Sequence, residues 1–196
     1  MQTTQSLVEA AQQIGFPVVL KAVSADVPHK SDAGLVLLSL ADADAVRKGA
    51  ELLQQRCRDL NARLEGILVA EQVQDGVEMV LGLHHDPEMG HAVMVGMGGV
   101  WLELFKDVAF APPALDLTRA RETIAQTRAH QLLQGYRGSP PRDVDALARA
   151  MVALGDLSFE LGDVVEAVDV NPLLVRAEGR GTVALDALVI LRPSQK

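Results

Sequence analysis

The sequence predicts a mixed α/β protein of α+β character, in two lobes that divide near Glu71, and three observations carry that prediction. Helical and strand-like apolar patterns are interspersed along the chain without a repeat or a low-complexity segment. Its 196 residues, 48% of them hydrophobic, suffice for one large domain or two small lobes, each with its own core. The run VVEAVDVNPLL, residues 164–174, is an apolar strand made to carry polar oxygen at alternate positions. Side chains on a strand alternate faces, so Ala167, Asp169 and Asn171 share one side and Val168, Val170 and Pro172 the other. Proline cannot donate to the ladder, so Asn171–Pro172 is expected to end the strand and present the polar pair at its terminus.

A second acidic strand, GRGTVALDALVIL, follows after a turn and sets Asp186 among apolar residues. Asp169, Asn171 and Asp186 brought together by that hairpin would make an oxygen-rich site suited to magnesium, with a nucleotide phosphate completing the shell. The same residue types also serve as turn caps, and spacing alone leaves both readings open.

Charge and composition narrow the function. A net charge of −8, with no basic run to offset it, repels a phosphate backbone, and the few aromatics offer little for bases to stack on, so nucleic acid is excluded as a main partner. The single cysteine, Cys57, falls in a helical pattern and rules out a disulfide framework or a thiolate zinc site. No apolar run is long enough to span a membrane and the start lacks the features of a secretion signal, so cytoplasm is the expected location.

From the start, Thr4 to Gln13 reads as a helix with Thr4 or Ser6 as cap and Gly15 as stop. The strand FPVVLKAVS follows, and its one charge, Lys21, either snorkels to an edge or meets an anion. A polar loop then gathers His29, Lys30, Ser31, Asp32 and Gly34, which can cradle phosphate or simply join two strands. Residues 42–60 form an amphipathic cover helix. GILVAEQV and EMVLGLHH read as strands joined by the hairpin signal QDG, with Glu71 and Glu78 near their ends, placed either to accept from a ribose hydroxyl or amine or to guard an edge. His84, His85 and His91 are set aside as a zinc site, because adjacent histidines point to opposite faces and no fourth ligand is spaced to join them. HAVMVGMGGVWLELFKDVAF reads as a strand, a glycine turn and a further strand. Two helical patterns, LTRARETIAQTRAHQLL and DVDALARAMVALGDLSFELG, come after APPAL, with Asp143 as cap of the second.

Ten words in one order, GFPVVLK, PHKSDAG, VAEQV, EMVLG, DPEMG, VGMGG, KDVAF, LLQGYRG, VDVNPLLV and VALDALVIL, cover nearly the whole chain. In that order the sequence resembles the ATP-grasp domain of the ADP-forming acyl-CoA synthetases, relatives of the succinyl-CoA synthetase β subunit. The resemblance implies a ligase domain that holds ATP between a smaller lobe, residues 1–70, and a larger one, residues 71–196, which carries magnesium. It implies that Lys21 contacts the ATP phosphates, that the loop of His29, Lys30, Ser31 and Gly34 lies over them, that Glu71 sits near adenine and Glu78 near the ribose or phosphates. Asn171 and Asp186 would be the magnesium ligands with Asp169 beside them, and His29 and Asp169 the catalytic residues, His29 as a second phosphoryl carrier. The reaction makes acyl-CoA, ADP and phosphate from a carboxylic acid, CoA and ATP through a phosphohistidine on a separate CoA-binding domain or subunit, which is the expected partner beside a second copy of the chain.

Three departures qualify the transfer. Leu35 stands where the family usually has a second glycine, Ala167 where it has a glutamate, and the segment expected before the first helix is missing. That opening is what a fragment of a longer polypeptide would show, with a CoA-binding domain, and as a further candidate a protein-acetyltransferase domain, preceding it. The Leu35 and Ala167 departures feed an alternative, a degenerate ATP-grasp module that binds a ligand to regulate a fused acetyltransferase.

Overall fold

The computed structural model describes residues 3–27 and 30–193, and its chain forms two compact units, one ending at Gln74 and the other beginning at Asp75. The division falls after Gln74 and not at Glu71, because Glu71 is the last residue of a strand that still pairs with Val18.

In the first unit, helix α1 (Thr4–Ile14) is capped by Thr3, whose hydroxyl accepts from the Ser6 N–H while Ser6 reaches back to the Thr3 N–H. The expected caps Thr4 and Ser6 are thus both inside the helix: reciprocal capping needs its two members three residues apart, and Thr3 with Ser6 supplies that spacing. Gly15 ends the helix at φ +94°, donating to the Ala11 carbonyl at 2.9 Å. Strand β1 (Val18–Val23) is the centre of an antiparallel sheet, with β2 (Val36–Leu40) on one side and β3 (Gly66–Glu71) on the other. Helix α2 (Ala43–Asp59), capped by Asp42, packs on α1, β1 and β2. Leu7, Val8, Leu20, Leu35, Val46, Leu53 and Cys57 fill the core between them. Burial of a leucine side chain contributes about 1.5–3 kcal/mol, so Leu35, fully buried, is a core residue of this unit.

The second unit is built on a larger antiparallel sheet. Its order is β6 (Val108–Ala111), β5 (Gly90–Met97), β4 (Val77–Asp86), β7 (Val165–Val175), with β8 (Thr182–Ala184) and β9 (Ala187–Leu191) end to end along β7. A short helix, α3 (Val100–Phe105), joins β5 to β6, and helices α4 (Leu117–Ala125), α5 (His130–Leu133) and α6 (Val144–Leu161) follow β6. Met79, Leu83, Val93, Ile124, Leu133, Leu147 and Met151 form the core where the helices meet the sheet. No helix of the described residues is long and apolar enough to cross a membrane.

QDG is no hairpin: β3 belongs to the first sheet and β4 to the second. Gly76 is required instead by close approach, since a Cβ there would stand 2.5 Å from the Leu174 side chain. VWLELF is helical and not a strand: after the turn at Gly99 the chain makes one short helix closed by Lys106 at φ +48°. LTRARETIAQTRAHQLL breaks into α4 and α5, because the Asp107 carboxylate takes the N–H groups of Arg128 and Ala129 and starts the chain afresh. The GTVALDALVIL strand is interrupted at Leu185 and Asp186, and β7 runs on through Pro172 to Val175.

Candidate functional site

The interruption of one strand matches an irregularity in its neighbour. Along β4, Met79 faces Leu173 and Leu81 faces Val170, so Asn171 and Pro172 together oppose the single residue Val80. That is a β-bulge, and it tolerates proline because the extra residue has no ladder bond to donate. On the other side, β8 pairs with residues 173–175 and β9 with residues 165–170, leaving Leu185 and Asp186 opposite the bulge. Asn171 donates its N–H to the Asp186 carbonyl at 3.2 Å, and Leu185 donates to the Pro172 carbonyl at 2.9 Å. Asn171 and Asp186 are therefore held side by side at mid-sheet and not at a strand terminus. Asp169 stands two residues before Asn171 on the same strand, opposite Gly82 and Leu188. All three side chains are half-buried.

The glycine turn closes on this point. Gly98 donates its N–H to the Glu78 carbonyl at 3.0 Å, and Gly99 donates to Asn171 Oδ1 at 2.9 Å. Gly99 has φ +60°, and a Cβ on it would stand 2.3 Å from Glu78 Oε2. Glu78, Gly99 and Asn171 thus meet, although 21 and 72 residues separate the outer two from the glycine along the chain. Beside Glu78 an open cleft of about 520 Å³ is walled by Val77, Met97, Leu132 and the stacked pair Trp101 and Phe105, whose ring centroids are 5.8 Å apart. The aromatic pair is the part of this region that sequence reading missed; its signal was the i, i+4 spacing, legible only once VWLELF is read as a helix.

In the first unit, Lys21 is half-buried on the central strand, between Val36 of β2 and Leu68 of β3. The loop after β1 ends in a turn in which Gly34, at φ +67°, donates to the Ser31 carbonyl at 3.0 Å and Leu35 donates to the Lys30 carbonyl at 2.8 Å. Arg56 of α2 donates to the Gly34 carbonyl and ties the turn down. His29 lies outside the described residues. Glu71 is exposed at the end of β3.

A family model described as the ATP-grasp domain matches residues 1–191. The chain belongs to the ATP-grasp domain family. Within it, the chain is similar to ADP-forming acyl-CoA synthetases. Over 193 residues the ATP-grasp domain is 33% identical to acetate-CoA ligase (ADP-forming) II subunit beta of Pyrococcus furiosus, covering 97% of this chain and 82% of that one. It is 39% identical over 176 residues to acetate-CoA ligase (ADP-forming) I of Archaeoglobus fulgidus, covering 89% of this chain but only 26% of that longer protein. Among solved structures it superposes with a TM-score of 0.82, at 36% identity, on the dinucleotide forming acetyl-coenzyme A synthetase 1 of Ca. Korarchaeum cryptofilum in complex with coenzyme A and Mg-AMPPCP, covering 97% of this chain and 83% of that one. The chain is the ATP-grasp domain of an ADP-forming acyl-CoA synthetase, similar to the β subunit where the enzyme is divided and to one segment where it is fused.

Proposed function

We propose that this ATP-grasp domain binds ATP with magnesium and carries out the phosphoryl-transfer half of acyl-CoA formation, working with a CoA-binding domain or subunit that holds the phosphohistidine. The overall reaction would convert a carboxylic acid, CoA and ATP to acyl-CoA, ADP and phosphate. The observation that carries this reading is the paired bulge, which holds Asn171 and Asp186 side by side with Asp169 on the same strand.

The donor set fits a hard cation. Asn171, Asp169 and Asp186 offer only oxygen, which suits magnesium and not a soft metal. Asn171 Oδ1 has two lone pairs, so it can accept the Gly99 N–H and still coordinate a cation. Among the described residues no three His, Cys, Asp or Glu side chains are grouped to hold a metal by themselves. Phosphate oxygens of a nucleotide would supply the remaining ligands, as is usual for magnesium. When bound, the ion would neutralise charge on the transferred phosphoryl group and help hold it in line.

The chain's own groups would do the rest. The Lys21 ammonium is a point charge for a phosphate, and Lys30 and Ser31 would meet phosphate oxygens from the turn that Gly34 closes. Glu71 would sit near the adenine amine and Glu78 near the ribose or the phosphates. His29 and Asp169 are the residues proposed to take part in the transfer itself, His29 because imidazole is a nucleophile near neutral pH.

Calorimetric titration with ATP, in the presence and absence of magnesium, tests the reading. Asn171→Ala and Asp186→Ala should abolish the magnesium-dependent part of binding and leave the apo fold intact. If they unfold the apo protein instead, the two residues are structural and the proposal fails.

A further inference from the structure

The hairpin of β4 and β5 carries a pair of imidazoles that nucleotide chemistry leaves unused. His85 and His91 are direct cross-strand partners, so their side chains rise from the same face of the sheet. Their ring centroids are 4.8 Å apart and the planes lie at 64°. His84, one residue earlier, is on the opposite face. Adjacent histidines do point to opposite faces, but the hairpin register pairs His85 with His91 and leaves His84 out.

That separation has a chemical meaning. With metal to nitrogen distances of about 2.0–2.1 Å and a tetrahedral or square angle at the metal, two imidazoles sharing one ion have centroids roughly 4.5–5.2 Å apart. The observed spacing falls inside that range. His91 Nε2 lies 3.3 Å from the Val165 carbonyl oxygen, which can only accept. Nε2 therefore carries the proton and Nδ1 the lone pair, and a donated hydrogen bond of this kind is what orients a metal-ligating histidine. Gly162 leaves room for the ring, since a Cβ there would stand 3.1 Å from His91 Cε1.

His85 is held below the usual histidine pKa by partial desolvation first, then by Arg192 and His91, while Asp86 and Glu166 act in the other direction. Asp86 itself is kept anionic by the backbone N–H groups of Met89 and Glu88. Arg192 is drawn toward the same carbonyl as His91, its Nε 3.4 Å from the Val165 oxygen, so one cation stands against two carboxylates.

We propose that His85 and His91 form a two-histidine chelate for a divalent transition metal that favours imidazole, namely zinc, copper or nickel. Its remaining positions are taken by water or by a donor from outside the domain. Two imidazoles on one face of a hairpin make a site distinct in kind from a closed four-ligand structural zinc.

Zinc titration of the whole chain, followed by NMR of the histidine rings, is the test. One equivalent should shift the His85 and His91 resonances together and leave those of His84 in place. His85→Gln and His91→Gln should each weaken zinc binding by about tenfold or more, His84→Gln should leave it unchanged, and binding should fade as acid protonates the imidazoles. Rings of His85 and His91 that stay unmoved at millimolar zinc would overturn the proposal, as would binding that both substitutions leave intact. The wild-type spectra decide the matter even if a variant does not fold.

Discussion

Gly99 donates its N–H to Oδ1 of Asn171 at 2.9 Å, and this single bond fixes which way the asparagine amide faces. The glycine is required there: at φ +60° and ψ −149° it occupies a region of backbone space that side chains avoid. Gly99→Ala should cost about 1–3 kcal/mol from the backbone alone, and the Glu78 carboxylate must also move. Urea unfolding measures the first effect. Because the same substitution disturbs Glu78 and Asn171 together, magnesium nucleotide binding should weaken by more than the fold does.

Magnesium and ATP together should stabilise the protein, since a ligand that binds only the native state adds RT ln(1 + [L]/Kd). At a hundredfold excess over Kd this is about 2.7 kcal/mol, or roughly 5 to 10 °C in Tm for a chain of this size. Thermal unfolding with millimolar nucleotide, with and without magnesium, checks it. No shift at that level would count against nucleotide binding by the isolated domain.

Asp143 is the best-tied cap in the second unit. One carboxylate oxygen accepts the Ala146 N–H at 2.9 Å and the other the Gly181 N–H at 3.0 Å, with the side chain buried. Asp143→Ala removes the cap and leaves both donors without it, a loss of about 2–4 kcal/mol by denaturation, whereas Asp143→Asn should retain the capping bond and cost less.

That cap was legible in the sequence, as were Gly15, the cover helix and the strand with Lys21, because each follows from local chemistry within a few residues. What was not legible depended on partners far along the chain. Gly76 looked like a turn glycine but is there for Leu174, and Asn171–Pro172 looked like a strand end because the compensating break at Leu185 and Asp186 supplies its pairing from elsewhere. VWLELF has the composition of a strand, and only the path from Gly99 to Lys106 makes it helical. The residue types of the candidate site could be read in advance. The turn that orients Asn171 could not, since a Gly-x-Gly-Gly run says nothing of the side chain that accepts from it.

His85 gives the protein a pH dependence of known sign. Its folded-state pKa is lowered, by desolvation first, so between that value and the unfolded one of about 6.5 the unfolded chain binds more protons. The contribution to stability is complete above about pH 6.5 and is lost as pH falls through the folded-state value. An NMR titration should place the His85 midpoint under 6.5, and His85→Gln should flatten that part of the stability profile. A midpoint at or above the ordinary value would refute the argument.

The last prediction concerns His29 and separates a synthetase domain from a regulatory one. If the loop carries phosphoryl groups, the domain by itself should stall part-way, because the reaction is divided into a transfer onto histidine and a transfer off it. Incubation with magnesium and γ-labelled ATP should then leave an acid-labile, base-stable phosphate on the chain, and His29→Ala should remove it while ATP still binds. Label that survives the substitution moves the carrier to another residue. If nucleotide binds and no label appears, adding a CoA-binding part with its own phosphohistidine distinguishes two cases. Net acyl-CoA formation would mean that His29 waits for that partner, whereas continued silence would mean that Ala167, standing where an acid is expected, marks a domain that binds its nucleotide without transferring it.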